Sequence, residues 1–269
     1  MQKRRFYVPS EAFYGDCAII KGDQAHHLVS VLRKKAGDEV VLFDGKGTEC
    51  LARVLRIDRD AVVARIEQTE AYQRADRPTI VLYAAVPKGR RFDLVVEAAT
   101  ELGADTITPL FTERGVVTLA ERDISARLER WKRITIAAAK QCRRSTLPLL
   151  NWPVRFLDVA ATPPDAVFPV LACLDRDSLP IQSVLRDVPD SAREIRAYIG
   201  PEGGFTPEET AAARDAGFRL ASLCENTLRT ETAAVAALSV IVCSLDSRLT
   251  NSARGGMGIL PMVDPGSTG

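Results

Sequence analysis

Histidine is nearly absent from this chain. Only His26 and His27 occur, and adjacent residues share neither a helix face nor a strand face. A histidine-based zinc site or a Ser-His-Asp triad is therefore not expected. The six cysteines, Cys17, Cys50, Cys142, Cys173, Cys224 and Cys243, form no C-x-x-C pair. Each sits in an apolar or helical context and reads as a reduced core residue, so no metal is expected. No run of about 18 apolar residues is seen, so no segment is expected to span a membrane. The start, MQKRRFYVPSEAFYGD, has no apolar core after its basic residues. A secretory signal is not expected there, and a cytoplasmic location is. The chemistry then falls to a cofactor or to Arg, Lys, Glu and hydroxyl groups.

What is present suits a soluble globular protein. The 269 residues allow two domains or one large one, and 46% hydrophobic with 26% charged residues is ordinary. The net charge of +1 does not point to a polyanion, but its distribution does. Arg127 to Arg144, RLERWKRITIAAAKQCRR, holds seven basic residues and one acid, and KGRR at Lys88 to Arg91 adds three more. Local basic patches fit a polyanion held on one face, although each patch alone fits a solvated surface equally well.

Residues 1–72 read as a small β-barrel with one helix. Apolar runs between Glu39 and Gln68 are separated by DGKG and DRDA, both hairpin signals. AHHLVSVLRKKAG before them reads as a short helix ended by Gly37. QRADRP, Gln73 to Pro78, reads as a linker. In residues 78–249 strands alternate with helices, and the strands are almost continuously apolar. That pattern predicts an α/β domain with a mostly parallel sheet covered on both faces. Residues 250–269 are rich in Gly, Ser and Pro without periodicity, which predicts a disordered tail.

Two stretches carry the functional signal. In IGPEGGFTPEE a strand ends at Ile199 and three glycines follow, where open parallel sheets place ligands. Thr206, Pro207 and Glu209 then spell a capping box with proline at the first helical position. The spacing is not G-x-G-x-x-G, and no Lys-Ser/Thr pair follows, so dinucleotide and Walker loops are disfavoured. Glu202 would repel phosphate and suits a ligand that is not polyphosphorylated. A glycine turn that only joins strand to helix remains open. In SLCENTLRTETAAV the order strand, loop, helix recurs, with Thr230 as a candidate helix cap and Arg229 and Glu231 beside it.

Together IGPEGGFTPEE and LRTETAA resemble the ribosomal RNA small subunit methyltransferase E family. RRFYV at Arg4 to Val8, HHLVSVLRKKAGDEVVLFDGKG, KGRRFDLVVEAATELGADTITPLFTERGVV and AAAKQCRRSTLP extend the resemblance over nearly the whole chain. The resemblance implies an N-terminal PUA-like RNA-binding β-barrel and a C-terminal SPOUT α/β domain with a trefoil knot. It implies a homodimer through the knotted domains and methylation of uridine N3 in 16S ribosomal RNA by S-adenosylmethionine. The donor would be held by three loops, with Leu171, Leu174, Ile199, Gly200, Pro201, Glu202, Gly203, Gly204, Leu223, Asn226, Leu228 and Thr230 as its contacts. RNA-binding candidates are Arg4, Arg5, Arg33, Lys88, Arg90, Arg91, Gln141 and Arg143. Cys224 stands where the family usually has glycine, and the tail extends past the family's usual end.

Chemically, uridine N3–H must lose its proton as it attacks the methyl group. A cation near the uracil carbonyls would stabilise the developing charge, with Arg229 and Arg144 as candidates. Glu231 is the candidate general base, with helix capping an equal reading. Rival readings are a SPOUT methyltransferase for another RNA site and a non-catalytic RNA-binding or ribosome-assembly protein.

Overall fold

The computed structural model describes residues 4–72, 76–115, 121–161 and 163–255. Its N-terminal part contains strands β1 (Arg5–Tyr7), β2 (Phe13–Tyr14), β3 (Cys17–Lys21), β4 (Glu39–Phe43), β5 (Thr48–Ile57) and β6 (Ala61–Ala71). They form one sheet in the order β1-β4-β5-β6-β3-β2, antiparallel except for the β1–β4 pair. Alternation puts Val40, Leu42, Ala52, Val54, Val62 and Ala64 inside, packed on Phe6, Ile20 and Leu28. The DGKG turn forms as its sequence demands. Gly45 and Gly47 have φ of 74° and 110°, and Asp44 Oδ1 accepts from the amides of Lys46 (2.7 Å) and Thr48 (2.9 Å).

The expected helix before β4 differs in detail. A turn of α-helix, α1 (Gly22–His26), passes into a π-helical turn at His27–Val31. The chain leaves it through Arg33, which takes the left-handed conformation (φ 51°). Gly37 does not end this helix; it lies in the following turn, where its amide donates to Val54 O (2.8 Å).

The C-terminal part is built on strands β7 (Thr79–Ala85), β8 (Thr106–Phe111), β9 (Leu149–Leu150), β10 (Val154–Arg155), β11 (Val167–Ala172), β12 (Leu179–Pro180), β13 (Glu194–Ile199) and β14 (Arg219–Ser222). All pair in parallel, in the order β10-β8-β7-β13-β11-β14-β12, with β9 on β8. Helices α2 (Arg91–Glu101), α3 (Glu121–Cys142), α4 (Phe156–Val159), α5 (Ile181–Arg186), α6 (Pro207–Asp215) and α7 (Thr230–Gly255) connect them. α2, α5 and α7 contribute to a core with Ile80, Leu82, Ile107, Ile195 and Ala197, into which α3 adds Trp131. α4 and α6 lie against Leu110, Leu171, Tyr198 and Phe218 in a second core. α2 ends as expected, with Gly103 at φ 85°.

The described chain ends in one long helix, α7. Thr230–Ser247 is long and apolar enough to cross a membrane by composition, with a mean hydropathy of 1.3. It is a core helix instead, burying Ala234, Ala237, Leu238, Ile241 and Leu245. α7 also continues to Gly255, so residues 250–255 are helical rather than tail. The expected disorder of residues 256–269 lies outside the described residues.

The two parts are joined by a polar lock. Gly47 N donates to Ser145 O (3.2 Å) and Leu147 N to Gly45 O (2.8 Å). Gly45 is required here, because a Cβ would come 2.9 Å from Leu147. The Arg5 guanidinium, only 8% exposed, pairs with Glu49 (2.7 Å), donates to Arg144 O (3.2 Å) and lies over the Phe43 ring. Of the expected linker, residues 73–75 lie outside the described residues, and Arg77 is anchored on Asp105 and on the Gly103 carbonyl.

Candidate active site

Three neighbouring strands, β13, β11 and β14, end side by side at Ile199, Ala172 and Ser222, and the loops beyond them enclose a pocket of about 380 Å³. Of the twelve residues expected to bind the cofactor, ten line it: Leu174, Ile199, Gly200, Pro201, Glu202, Gly203, Gly204, Leu223, Asn226 and Leu228. Leu171 and Thr230 are buried outside the lining. Thr230 was expected to cap α7. Its hydroxyl instead donates to Gly200 O (3.1 Å), tying the second loop to the glycine loop. The first intrahelical bond of α7 runs from Ala233 N to the Arg229 carbonyl (2.8 Å).

The glycine loop is shaped by what surrounds it. Gly204 has φ of 68°, which a side chain would strain. A Cβ on Gly200 would meet the Phe205 ring at 3.0 Å. The capping box forms as expected, with Glu209 N donating to Thr206 Oγ1 (3.1 Å) and Thr206 N to Glu209 Oε2 (2.8 Å). Arg114, from the loop after β8, donates to Gly203 O (2.8 Å) and Phe205 O (3.3 Å) and lines the pocket. Glu113 N reaches the second oxygen of Glu209 (3.0 Å), so this loop also holds the start of α6.

Cys173, Cys224 and Thr227 line the pocket from within the three expected loops without having been named as contacts, and Arg114, Asp175 and Phe205 line it from outside them. Cys173 and Asp175 could have been found by counting on from the end of β11. Arg114 gives no local signal, because it reaches the loop from a distant strand. Burial pushes the Cys173 thiol up. Cys224 is exposed at the pocket, with its thiol toward Asn226 O, and Cys243 is exposed on α7. These two are not core residues; only Cys50 is fully buried.

The candidate catalytic groups separate. Arg229 is exposed, and its side chain makes no hydrogen bond or ion pair among the described residues. Glu231, in the first turn of α7, has Oε2 buried without a hydrogen-bond partner, so it does not cap the helix. Arg144 is not brought to them within one chain. It donates to Thr146 Oγ1 (2.9 Å) and Thr100 O (3.2 Å) and lies 3.7 Å from Asp105, at the amino end of β8. Burial lowers its pKa more than Asp105 raises it. The expected RNA contacts also divide. Arg4, Arg33, Lys88, Arg90, Gln141 and Arg143 are exposed. Arg91 is exposed but pairs with Glu202 (2.7 Å), and Arg5 is locked in the domain junction, which removes it as a surface phosphate ligand.

Residues 75–242 match the model of an RNA methyltransferase domain, and residues 20–67 match that of an RNA methyltransferase PUA domain. A two-domain RNA methyltransferase is the class that this fold and these matches define. The ribosomal RNA small subunit methyltransferase E of Mycobacterium bovis is 30% identical over 88% of this chain and 90% of its own. That of Aquifex aeolicus is 31% identical over 87% and 97%. The structure of a methyltransferase from Legionella pneumophila, in complex with the cofactor SAM, superposes with a TM-score of 0.81 at 32% identity, covering 91% of this chain and 98% of the other. That of the Neisseria gonorrhoeae methyltransferase E, bound to S-adenosyl methionine, gives 0.78 at 29%, covering 89% and 97%. The chain belongs to the ribosomal RNA small subunit methyltransferase E family.

Proposed function

We propose that this protein methylates ribosomal RNA with S-adenosylmethionine, at N3 of a uridine in the 16S RNA of the small subunit. The observation that carries this reading is the three-loop pocket, which suits a cationic, phosphate-free ligand. Leu174, Ile199, Leu223 and Leu228 give it apolar walls for an adenine. The glycine loop lets backbone approach the ligand, and Glu202 disfavours phosphate. The Glu231 carboxylate, whose Oε2 is buried without a partner two residues before the pocket residue Ala233, supports a polar ligand or substrate near this rim.

When bound, the donor supplies an electrophilic methyl group. Arg229 stabilises the negative charge that develops on the uracil carbonyls, and its freedom from other partners supports that role. Glu231 accepts the N3 proton, and the absence of any capping bond to it favours this over the capping reading. Arg114 and Thr230 hold the loops in register, a positioning contribution. Arg4, Lys88, Arg90 and Arg143 hold RNA phosphates. The protein works in the cytoplasm as a homodimer joined through C-terminal domains that carry a trefoil knot. Exposed Leu174, Leu179 and Val235 in the C-terminal part support such a contact.

Methyl transfer to purified small subunits and to free 16S RNA, with labelled donor and with or without a chelator, tests the reading. Incorporation into 16S RNA that the chelator leaves unchanged is expected. No incorporation into either substrate, with the donor bound, would favour the non-catalytic assembly reading.

A further inference from the structure

A second cleft, of about 550 Å³, opens between the N-terminal sheet and the C-terminal half of α3. Its helical wall is Arg133, Ile136, Ala137 and Lys140, the i, i+3, i+4, i+7 stripe of one helix face. A different stripe of α3, through Trp131, Thr135 and Ala138, is buried in the domain itself. The facing wall is apolar and aromatic, with Tyr7, Val8 and Ile19, and Lys21 stands at its rim.

The charge of this cleft is one-sided. Lys21 and Arg133 have no side-chain partner among the described residues. The Lys140 ammonium has an amide oxygen, Gln24 Oε1 at 3.1 Å, and the Phe6 ring face at 5.4 Å, but no carboxylate. Asp23 is the one acid in the lining, and no ion pair joins it to these cations. Burial holds the Lys140 ammonium below the ordinary lysine value. His27 nearby is lowered by burial and then by Lys140, Arg4 and His26, as a positive field requires. Three cations around an apolar slot are complementary to a base with its phosphates. A duplex, whose bases are stacked inside, could use only the cations.

We propose that this cleft holds one unstacked nucleotide of the RNA substrate, its base against Tyr7 and the Ile136–Ala137 face and its flanking phosphates on Lys21, Arg133 and Lys140. The inference rests on the RNA methyltransferase reading above. Arg133 to Lys140 lie 12 to 19 residues into α3 from Glu121, roughly 18–29 Å along the helix axis from its start near the carboxyl edge of the sheet. The cleft is therefore a foothold remote from the methyl group. It contributes affinity for RNA equally in the ground and transition states, so its loss raises KM and leaves kcat unchanged.

Two variants separate its charge from its shape. Lys21→Ala with Arg133→Ala removes two exposed, unpartnered cations. Ala137→Trp fills the slot from an exposed helix position without changing charge. Binding of a fluorescent single-stranded oligouridylate and of an RNA hairpin duplex is read by anisotropy across a salt series. Donor affinity and melting temperature verify that both variants are folded. The double variant is expected to lower the single-strand log–log salt slope by about 1.4 units, at about 0.7 per phosphate contact. Ala137→Trp is expected to weaken single-strand binding about tenfold at unchanged slope and to spare the duplex. Unchanged single-strand affinity in Ala137→Trp, or an equal loss for the duplex, would overturn the nucleotide slot. A wild-type protein that binds and methylates RNA while both variants match it sinks the cleft alone. A wild type that does neither overturns the proposed function with it.

Discussion

Arg229→Ala distinguishes a catalytic arginine from one that merely holds a loop. The Arg229 side chain is exposed and has no partner among the described residues, while its loop is tied by other atoms. Thr230 Oγ1 reaches the Gly200 carbonyl, and the Arg229 carbonyl, which alanine keeps, accepts from Ala233 N. Removing the guanidinium therefore strands no buried group. Stability should change by less than about 0.5 kcal/mol, as for a surface substitution. At about 2–4 °C per kcal/mol for a domain of this size, the melting temperature should move by no more than about 2 °C. Donor affinity by calorimetry should stay within about twofold. Turnover should fall by about 10²–10³, the cost of losing one preorganised donor to a developing oxyanion. kcat and kcat/KM should fall together, because the interaction is made in the transition state. Single-turnover methyl transfer to small subunits at saturating donor measures this directly. Normal turnover would end the catalytic role. A joint loss of donor affinity and melting temperature would show that the arginine holds the loop.

Three further substitutions test the frame of the site. Gly200→Ala puts a Cβ 3.0 Å from the Phe205 ring, which is itself packed on Phe156, so calorimetry should show weaker donor binding and the melting curve a loss of about 1–3 kcal/mol; an unchanged donor affinity would mean the loop yields freely. Arg114→Ala removes the donor to the Gly203 and Phe205 carbonyls, so donor affinity should drop about tenfold while kcat at saturating donor is largely kept; a selective loss of kcat would instead make Arg114 a catalytic group. Arg144→Ala removes a charged donor from the Thr100 carbonyl and the ion pair with Asp105, so thermal unfolding should report a loss of about 1–3 kcal/mol with donor affinity intact; a stable but inactive Arg144→Ala protein would restore the catalytic reading.

Features set by near neighbours in the chain were legible. The capping box at Thr206 and Glu209, the turn at Asp44–Gly47 and the left-handed Gly103 all formed, since each depends on residues within a few positions. The glycine loop was legible as a candidate ligand loop because open parallel sheets place ligands beyond the carboxyl ends of their strands. Roles set by distant partners were not. Arg5 read as an RNA contact and Arg144 as a cation for the uracil carbonyls, yet Glu49, the Thr100 carbonyl and Asp105 draw them inward. Charge patterns carry no information on such partners. Strands β9, β10 and β12 are two residues long, too short for any periodicity to register. Arg33 took a left-handed angle that favours glycine or asparagine, so the end of the first helix was placed too late.

The proposed target of methylation is uridine N3 of 16S RNA. Mass-spectrometric nucleoside analysis of 16S RNA from a deletion strain tests it most directly. Loss of 3-methyluridine, restored by the wild-type gene and not by the Arg229→Ala gene, is expected. An unchanged 3-methyluridine content in the deletion strain would contradict it.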